Sequence, residues 1–279
     1  MSVWLITGAS RGLGRELAGS ALAHGDQVIA AARDPQAAAD ALPQGGAALL
    51  AVKLDVTDQE QAAEAVAAGV ERFGRIDVLV NNAGYGLFGA VEEISDAEAR
   101  ALFDTNVFGL LNVTRAVLPV LRSQGAGRIL NIGSSAGVRA SAGRGLYGAT
   151  KAAVESISEA LHAELAPLGV HVTLVEPGSF RTDFLSGGSV RRAQQPIAAY
   201  EGTAGQLASA LDTSNGRQPG DPARAVAAIR ELAEATRPPL RLPLGNDCVA
   251  LVEDQLGSVG SELSQWRELA LSTDFPRGQ

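Results

Sequence analysis

Six short apolar runs punctuate this chain: Val3–Thr7, Gln27–Ala32, Ala48–Leu54, Val78–Asn81, Arg128–Gly133 and His171–Val175. Each reads as a strand buried on both faces, because apolar residues follow one another instead of alternating with polar ones. Amphipathic stretches of helical length fall among them, at Gly14–His24, Gln59–Phe73, Asp96–Leu121 (with a break expected near Asn106) and Ala149–Ala166. Strands that alternate with helices are joined by right-handed crossovers and so lie parallel. The expected fold is α/β, a doubly wound parallel sheet in a single domain over residues 1–279. With 46% hydrophobic residues the chain can bury a core of that size.

The turn after the first strand reads Thr7-Gly8-Ala9-Ser10-Arg11-Gly12-Leu13-Gly14. Its G-x-x-x-G-x-G spacing departs from the G-x-G-x-x-G dinucleotide fingerprint. The physics is shared, however. Glycines let a diphosphate approach the backbone, and the helix N-terminus behind them offers N–H groups and a partial positive charge. The sheet is therefore expected to be Rossmann-type. The second strand ends Ala30-Ala31-Ala32-Arg33. An NAD site often sets an acidic residue near this point to hold the ribose 2′-hydroxyl. Ala32 leaves that place vacant, Arg33 offers a cation to a 2′-phosphate, and Arg11 can close on the same group. The expected cofactor is NADP, with NADPH preferred over NADH.

Tyr147 and Lys151 stand four residues apart, and Tyr147 follows Ser134 by thirteen. On a helix, residues at i and i+4 share a face. A phenol holds its proton to a pH of about 10, and a neighbouring ammonium favours the phenolate. Such a tyrosine can exchange a proton with an alcohol or a carbonyl.

The ordered set Thr7–Gly14, Leu54-Asp55-Val56, Asn81-Asn82-Ala83-Gly84, Asn106, Asn131-Ile132-Gly133-Ser134, Tyr147-Gly148-Ala149-Thr150-Lys151 and Pro177–Thr182 resembles the short-chain dehydrogenase/reductase family, from Val3 to about Phe184. The resemblance implies that Tyr147 is the general acid in reduction and the base in oxidation. Lys151 would hold the nicotinamide ribose, and Ser134 would donate to the substrate oxygen. Asn106 would interrupt its helix and position a water near Lys151. On the cofactor side it implies Gly8, Ser10, Arg11, Gly12, Leu13 and Gly14 at the diphosphate turn. Asp55 and Val56 would meet the adenine, Asn82, Ala83 and Gly84 the ribose, and Pro177, Gly178 and Thr182 the carboxamide. Some readings stay open. Asn82 can mainly tie adjacent strands, Asp55 can cap the helix after Thr57, and Ser135 competes with Ser134, though the thirteen-residue spacing favours Ser134.

Substrate contacts are expected from Tyr85 and Phe88, from Val138, and from Leu185. These residues suit a lipophilic carbonyl or alcohol, and they suit a core equally well. Arg139 and Arg144 either read a substrate carboxylate or are solvated loop residues. Residues 185–220, rich in Gly, Ser, Gln and Pro, read as a loose connection or as a substrate lid. Asp221-Pro222 opens a further helix, Arg241–Leu244 is a last short strand, and residues 245–279 form a C-terminal extension of two polar helical segments. The glycine-rich ending of shorter family members is not found near Leu240–Leu244, so a homodimer through the helices near Asn106–Leu121 and Ala149–Ala166 is preferred to a homotetramer.

Other classes are disfavoured. The net charge is −8 with no basic run, so no nucleic-acid partner is expected. Cys248 stands alone, and His24, His162 and His171 are scattered, so no metal is expected. The opening Met1–Thr7 has no basic leader and breaks into glycines, which suits a cytoplasmic protein without a membrane span. The expected activity is NADP(H)-dependent interconversion of a ketone or aldehyde and an alcohol. The alternatives are a catalytically silent cofactor-binding regulator and an epimerase or dehydratase on the same scaffold.

Overall fold

The computed structural model describes residues 1–185 and 188–275. The chain opens with β1 (Val3–Thr7), α1 (Gly12–Ala23), β2 (Gln27–Ala32), α2 (Pro35–Ala41), β3 (Leu49–Lys53), α3 (Gln59–Phe73) and β4 (Val78–Asn81). It continues through β5 (Gly86–Phe88), α4 (Asp96–Phe103), α5 (Gly109–Gln124), β6 (Gly127–Ile132), α6 (Ser135–Val138), α7 (Gly145–Leu165) and β7 (Val170–Pro177). Last come β8 (Val190–Arg192), α8 (Gln206–Ser214), α9 (Pro222–Glu234), β9 (Arg241–Leu244) and α10 (Asn246–Leu271).

Seven strands form one parallel sheet in the order β3-β2-β1-β4-β6-β7-β9. All five residues of β1 are buried, as the unbroken apolar run requires of a central strand. Trp4 and Ile6 point to the face covered by α1 and α9, while Val3 and Leu5 point to the face covered by α3 and α5. Burying a side chain such as Leu5 or Ile6 completely contributes roughly 1.5–3 kcal/mol. The chain reverses its direction of winding between β1 and β4, so the crevice beyond their carboxyl ends is where this architecture opens to a ligand.

Local signals fix the helix ends. Asp34, Asp58 and Asp221 cap α2, α3 and α9 through their side chains, and Ser95 with Glu98 forms a capping box on α4. Asp58, not Asp55, is therefore the cap of the helix after Thr57. The break expected near Asn106 is a π-helical turn, Asp104–Phe108, between α4 and α5.

Four expectations need revision. Helix α7 starts at Gly145 rather than Ala149, which carries Tyr147 inside it. Helix α2 and the small parallel sheet of β5 with β8 are additional, and both are too short for periodicity to reveal. Residues 185–220 carry β8, α8 and short helical turns. The C-terminal segment is one helix of 26 residues rather than two polar pieces. Gly257 and Gly260 lie inside it, where each costs about 1 kcal/mol relative to alanine without ending it.

That helix is not simply polar. Leu256, Val259, Leu263, Trp266 and Leu269 are all more than half exposed, whereas no large apolar side chain of α5 or α7 is an exposed one among the described residues. Among those residues, no helix is long and apolar enough to cross a membrane.

Candidate active site

A cleft of about 1050 Å³ opens along the carboxyl edge of the sheet, and the glycine turn forms one end of it. Gly8 and Gly12 have φ values of 67° and 55°, in the left-handed region that favours glycine. Gly14 serves packing instead. A Cβ there would lie 2.5 Å from Asn82 Nδ2 and 2.6 Å from the Gly8 carbonyl oxygen, so α1 can approach the turn only without a side chain. Gly8, Ser10, Arg11, Gly12 and Leu13 line the cleft, while Gly14 backs it. Arg11 is the N-cap of α1 and supplies no side-chain cap, which leaves the first-turn N–H groups available to an anion.

Thr7 and Asn82 join the ends of β1 and β4. Asn82 Nδ2 donates to the Thr7 carbonyl oxygen at 2.8 Å, and Thr7 Oγ1 accepts from the Asn82 and Ala83 amides. Asn82 thus has the strand-tying position, and with Ala83 and Gly84 it also lines the cleft. Asp55 Oδ1 accepts from the amide and hydroxyl of Thr57, and Asp55, Val56 and Arg33 face the same space. Asp34 lies at this end too, but its carboxylate is engaged by the Gln36 and Ala37 amides.

Tyr147 and Lys151 are buried one turn apart on α7. The Tyr147 ring packs edge-on against Phe88, with centroids 5.8 Å apart, and lies 6.3 Å from Phe184. Lys151 Nζ donates to the Ile132 carbonyl oxygen at 2.8 Å and lies 5.9 Å from the centre of the tyrosine ring. Ser134 ends the β6 crossover and caps α6, its Oγ accepting from the Ala136 amide. It is Ser134 rather than Ser135 that acts on the Tyr147 phenol, favouring its ionised form.

The electrostatics differ from the simple expectation. Burial raises the Tyr147 pKa above the usual phenol value, and the Ser134 hydrogen bond and the charge of Arg144 oppose that rise. Burial also pulls Lys151 down to about 8. In the protein alone, desolvation outweighs the expected help of the ammonium to the phenolate.

Asn106 is buried behind the cleft. Its Oδ1 accepts from the Tyr85 amide, and its Nδ2 donates to the Tyr85 carbonyl and to Thr150 Oγ1. The side chain anchors the Tyr85 loop to α7, and its hydrogen bonds go to protein groups. A Cβ at Gly84 would sit 3.0 Å from Asn106 Oδ1 and 3.9 Å from Lys151 Nζ, so a glycine keeps the approach to that lysine open.

At the far end, Pro177, Gly178 and Thr182 line the cleft. A Cβ on Gly178 would fall 2.2 Å from Asp247 Oδ1. The other oxygen of that carboxylate accepts from the Ser179 amide at 2.7 Å.

Tyr85, Phe88 and Leu185 line the cleft, and Val138, the last residue of α6, is not among the lining residues. Leu211, an apolar anchor of the candidate lid, lines it too, and Phe184, Arg191 and Gln218 do so without having been singled out in the sequence. Gln218 is only 4% exposed, and neither its Oε1 nor its Nε2 has a protein partner. No periodicity marks a lone glutamine in a polar segment. Among the described residues, no group of His, Cys, Asp and Glu could hold a metal.

The sequence profile described as short chain dehydrogenase matches residues 2–191. An oxidoreductase of Botryotinia fuckeliana (BOA17) is 38% identical over 272 residues, covering 97% of this chain and 98% of its own. A 3-ketodihydrosphingosine reductase of Bacteroides thetaiotaomicron is 34% identical over 86% of this chain and 87% of its own. Among solved structures, a short-chain dehydrogenase from Streptomyces avermitilis superposes with a TM-score of 0.91 at 43% identity, covering 98% of this chain and 100% of its own. A Burkholderia phymatum protein in complex with NAD gives 0.82 at 26% identity, over 94% of this chain and 95% of its own. A serine dehydrogenase complexed with NADP+ gives 0.74 at 30%, over 87% and 94%.

Proposed function

This chain belongs to the short-chain dehydrogenase family and is an NAD(P)-dependent oxidoreductase, and from that premise we propose that it is NADP(H)-dependent, interconverts a carbonyl and an alcohol, and uses Tyr147 as the proton donor and acceptor. The observation that carries the reading is the convergence of Ser134, Tyr147 and Lys151 on one wall of the cleft that begins at the glycine turn.

The residues present suit a dinucleotide. An α1 N-terminus without a side-chain cap faces the cleft, Gly8 and Gly12 hold left-handed backbone beside it, and the buried Gln218 amide has polar atoms without protein partners. The first-turn amides of α1 would hold the diphosphate. Arg33 and Arg11 would take the 2′-phosphate, and the commitment of Asp34 to capping α2 supports that preference over a ribose hydroxyl. The nicotinamide supplies or accepts the hydride.

The side chains manage the proton and the developing charge. Ser134 Oγ donates to the substrate oxygen, an oxyanion-type contact. As negative charge gathers there during reduction, Tyr147 gives its proton to that oxygen, and in oxidation it takes the proton back. Lys151, held by the Ile132 carbonyl, orients the ribose and provides a positive potential beside the ring. Phe184, Leu185 and Leu211, from the segment after β7, act as a lid that excludes water.

Tyr147→Phe tests this reading. It should lower kcat on any accepted carbonyl by about 10²–10⁴, while the Kd for NADPH stays within a few-fold. Turnover that survived the substitution would overturn the assignment of Tyr147.

A further inference from the structure

Two arginines lie between Ser134 and Tyr147, and the fold uses them differently. Arg139 reaches away to Asp254 on α10, forming an ion pair in which both side chains are exposed. Arg144 is half-buried and lines the cleft. Its guanidinium carbon stands 5.8 Å from the centre of the Phe88 ring, the ring that packs edge-on against Tyr147. Its Nε is buried without a hydrogen-bond partner, and no carboxylate pairs with it among the described residues. Arg144 is the N-cap of α7 and lies one turn before Tyr147, yet it makes no side-chain cap.

A guanidinium partly withdrawn from water and lacking a counter-charge is costly. A ligand anion would remove that cost. The planar fork of arginine suits a carboxylate better than an ammonium would, because it can donate two parallel hydrogen bonds. The cleft as a whole leans the same way, with six cationic side chains against four carboxylates, in a protein whose net charge is −8. Arg11 and Arg33 belong to the glycine-turn end, whereas Arg144 stands at the tyrosine end.

We propose that the substrate is a carboxylic acid carrying the reacting carbonyl or alcohol, with its carboxylate held by Arg144 and its oxygen between Ser134 and Tyr147. The reaction then interconverts an oxo acid and a hydroxy acid, a proposal that rests on Tyr147 being the proton donor. Phe88, Phe184 and Leu211 take the hydrocarbon of the substrate, so an amphipathic acid replaces the purely lipophilic ketone suggested by the sequence.

The test compares 2-, 4- and 5-oxohexanoate with their methyl esters, using NADPH as reductant, in the unmodified enzyme and in Arg144→Met and Arg144→Lys. Methionine keeps an unbranched side chain and removes the charge. At least one acid should exceed its ester in kcat/KM by ten-fold or more in the unmodified enzyme. The acid-to-ester ratio should fall about 100-fold in Arg144→Met, and Arg144→Lys should lie between. NADPH affinity, followed by fluorescence, verifies that each variant is folded. Esters used as well as acids, or a ratio that survives Arg144→Met, would overturn the proposal. Calorimetry of the same acids on the NADP+-loaded protein separates this idea from the proton-transfer reading. Acid binding that disappears in Arg144→Met supports the carboxylate site even if turnover is absent. Absence of both binding and turnover of every acid counts against it.

Discussion

Lys151 Nζ hangs from the carbonyl oxygen of Ile132, 2.8 Å away, so the last residue of β6 fixes the height of the ammonium beside Tyr147. The lysine has one protein hydrogen bond there, and burial draws its pKa down to about 8 from the ordinary 10.5.

This gives a pH dependence with a definite sign. The folded pKa lies below the unfolded one, so between about pH 8 and 10.5 the unfolded chain binds more protons, and stability rises with pH across that window. Below pH 8 both states hold the proton and the cost of burying the charge is fully present. Lys151→Met should therefore stabilise the cofactor-free protein at pH 7, by an order of 1–3 kcal/mol. The difference between the two proteins should shrink as pH rises. Urea unfolding of both proteins at pH 7 and pH 10 checks this, and a difference that stayed constant would contradict the burial argument.

Arg33 marks the end of β2 facing the cleft. NADPH should bind more tightly than NADH, and Arg33→Asp should weaken NADPH by about 10–100-fold, the loss of one or two charge-assisted hydrogen bonds. NADH should change little or improve. Fluorescence titration of both cofactors decides the matter, and an unmodified protein that prefers NADH would show that the ribose end had been misread.

Gly178 and Asp247 are coupled by contact. Gly178→Ala pushes a methyl group against a carboxylate already held by the Ser179 amide, and it should cost about 1–3 kcal/mol. Adding Asp247→Ala should recover part of that loss, because the obstructing oxygens are gone. Unfolding free energies of the four proteins in a double-mutant cycle measure the coupling, and simple additivity would mean that the backbone yields instead.

The outer part of α10 buries almost nothing against the rest of the chain. Truncating the chain after Gly257 should leave the thermal midpoint of the monomer within about 2 °C, well below the effect of losing a packed helix. Size-exclusion chromatography of the full and shortened chains belongs with that measurement. A large fall in midpoint together with a change in size would show that the apolar side chains of α10 are covered by a second molecule in solution.

Much of the sheet and its edge was legible because both obey simple periods. The run Val3–Thr7 could only be a strand buried on both faces, and the glycines at 8 and 12 mark backbone that few other residues accept. What escaped has physical reasons. Three-residue strands such as β5 carry too little pattern, and α10 continues through two glycines because neighbouring helix formers outweigh them. Val138 lies in the right part of the sequence but outside the lining of the cleft. Arg139 and Arg144 could not be ranked from the sequence, since only the fold brings Asp254 to the former and Phe88 to the latter. The raised Tyr147 pKa was equally invisible, because desolvation depends on packing that a motif does not encode.

All seven strands of the main sheet run the same way, so their carboxyl ends meet at a single rim, and the cleft opens along it. The molecule thereby divides into a chassis and a tool head. Substitutions in the sheet interior should show up as less protein, and substitutions on the rim as altered chemistry at normal abundance. Selection can revise substrate choice loop by loop while the chassis keeps its shape.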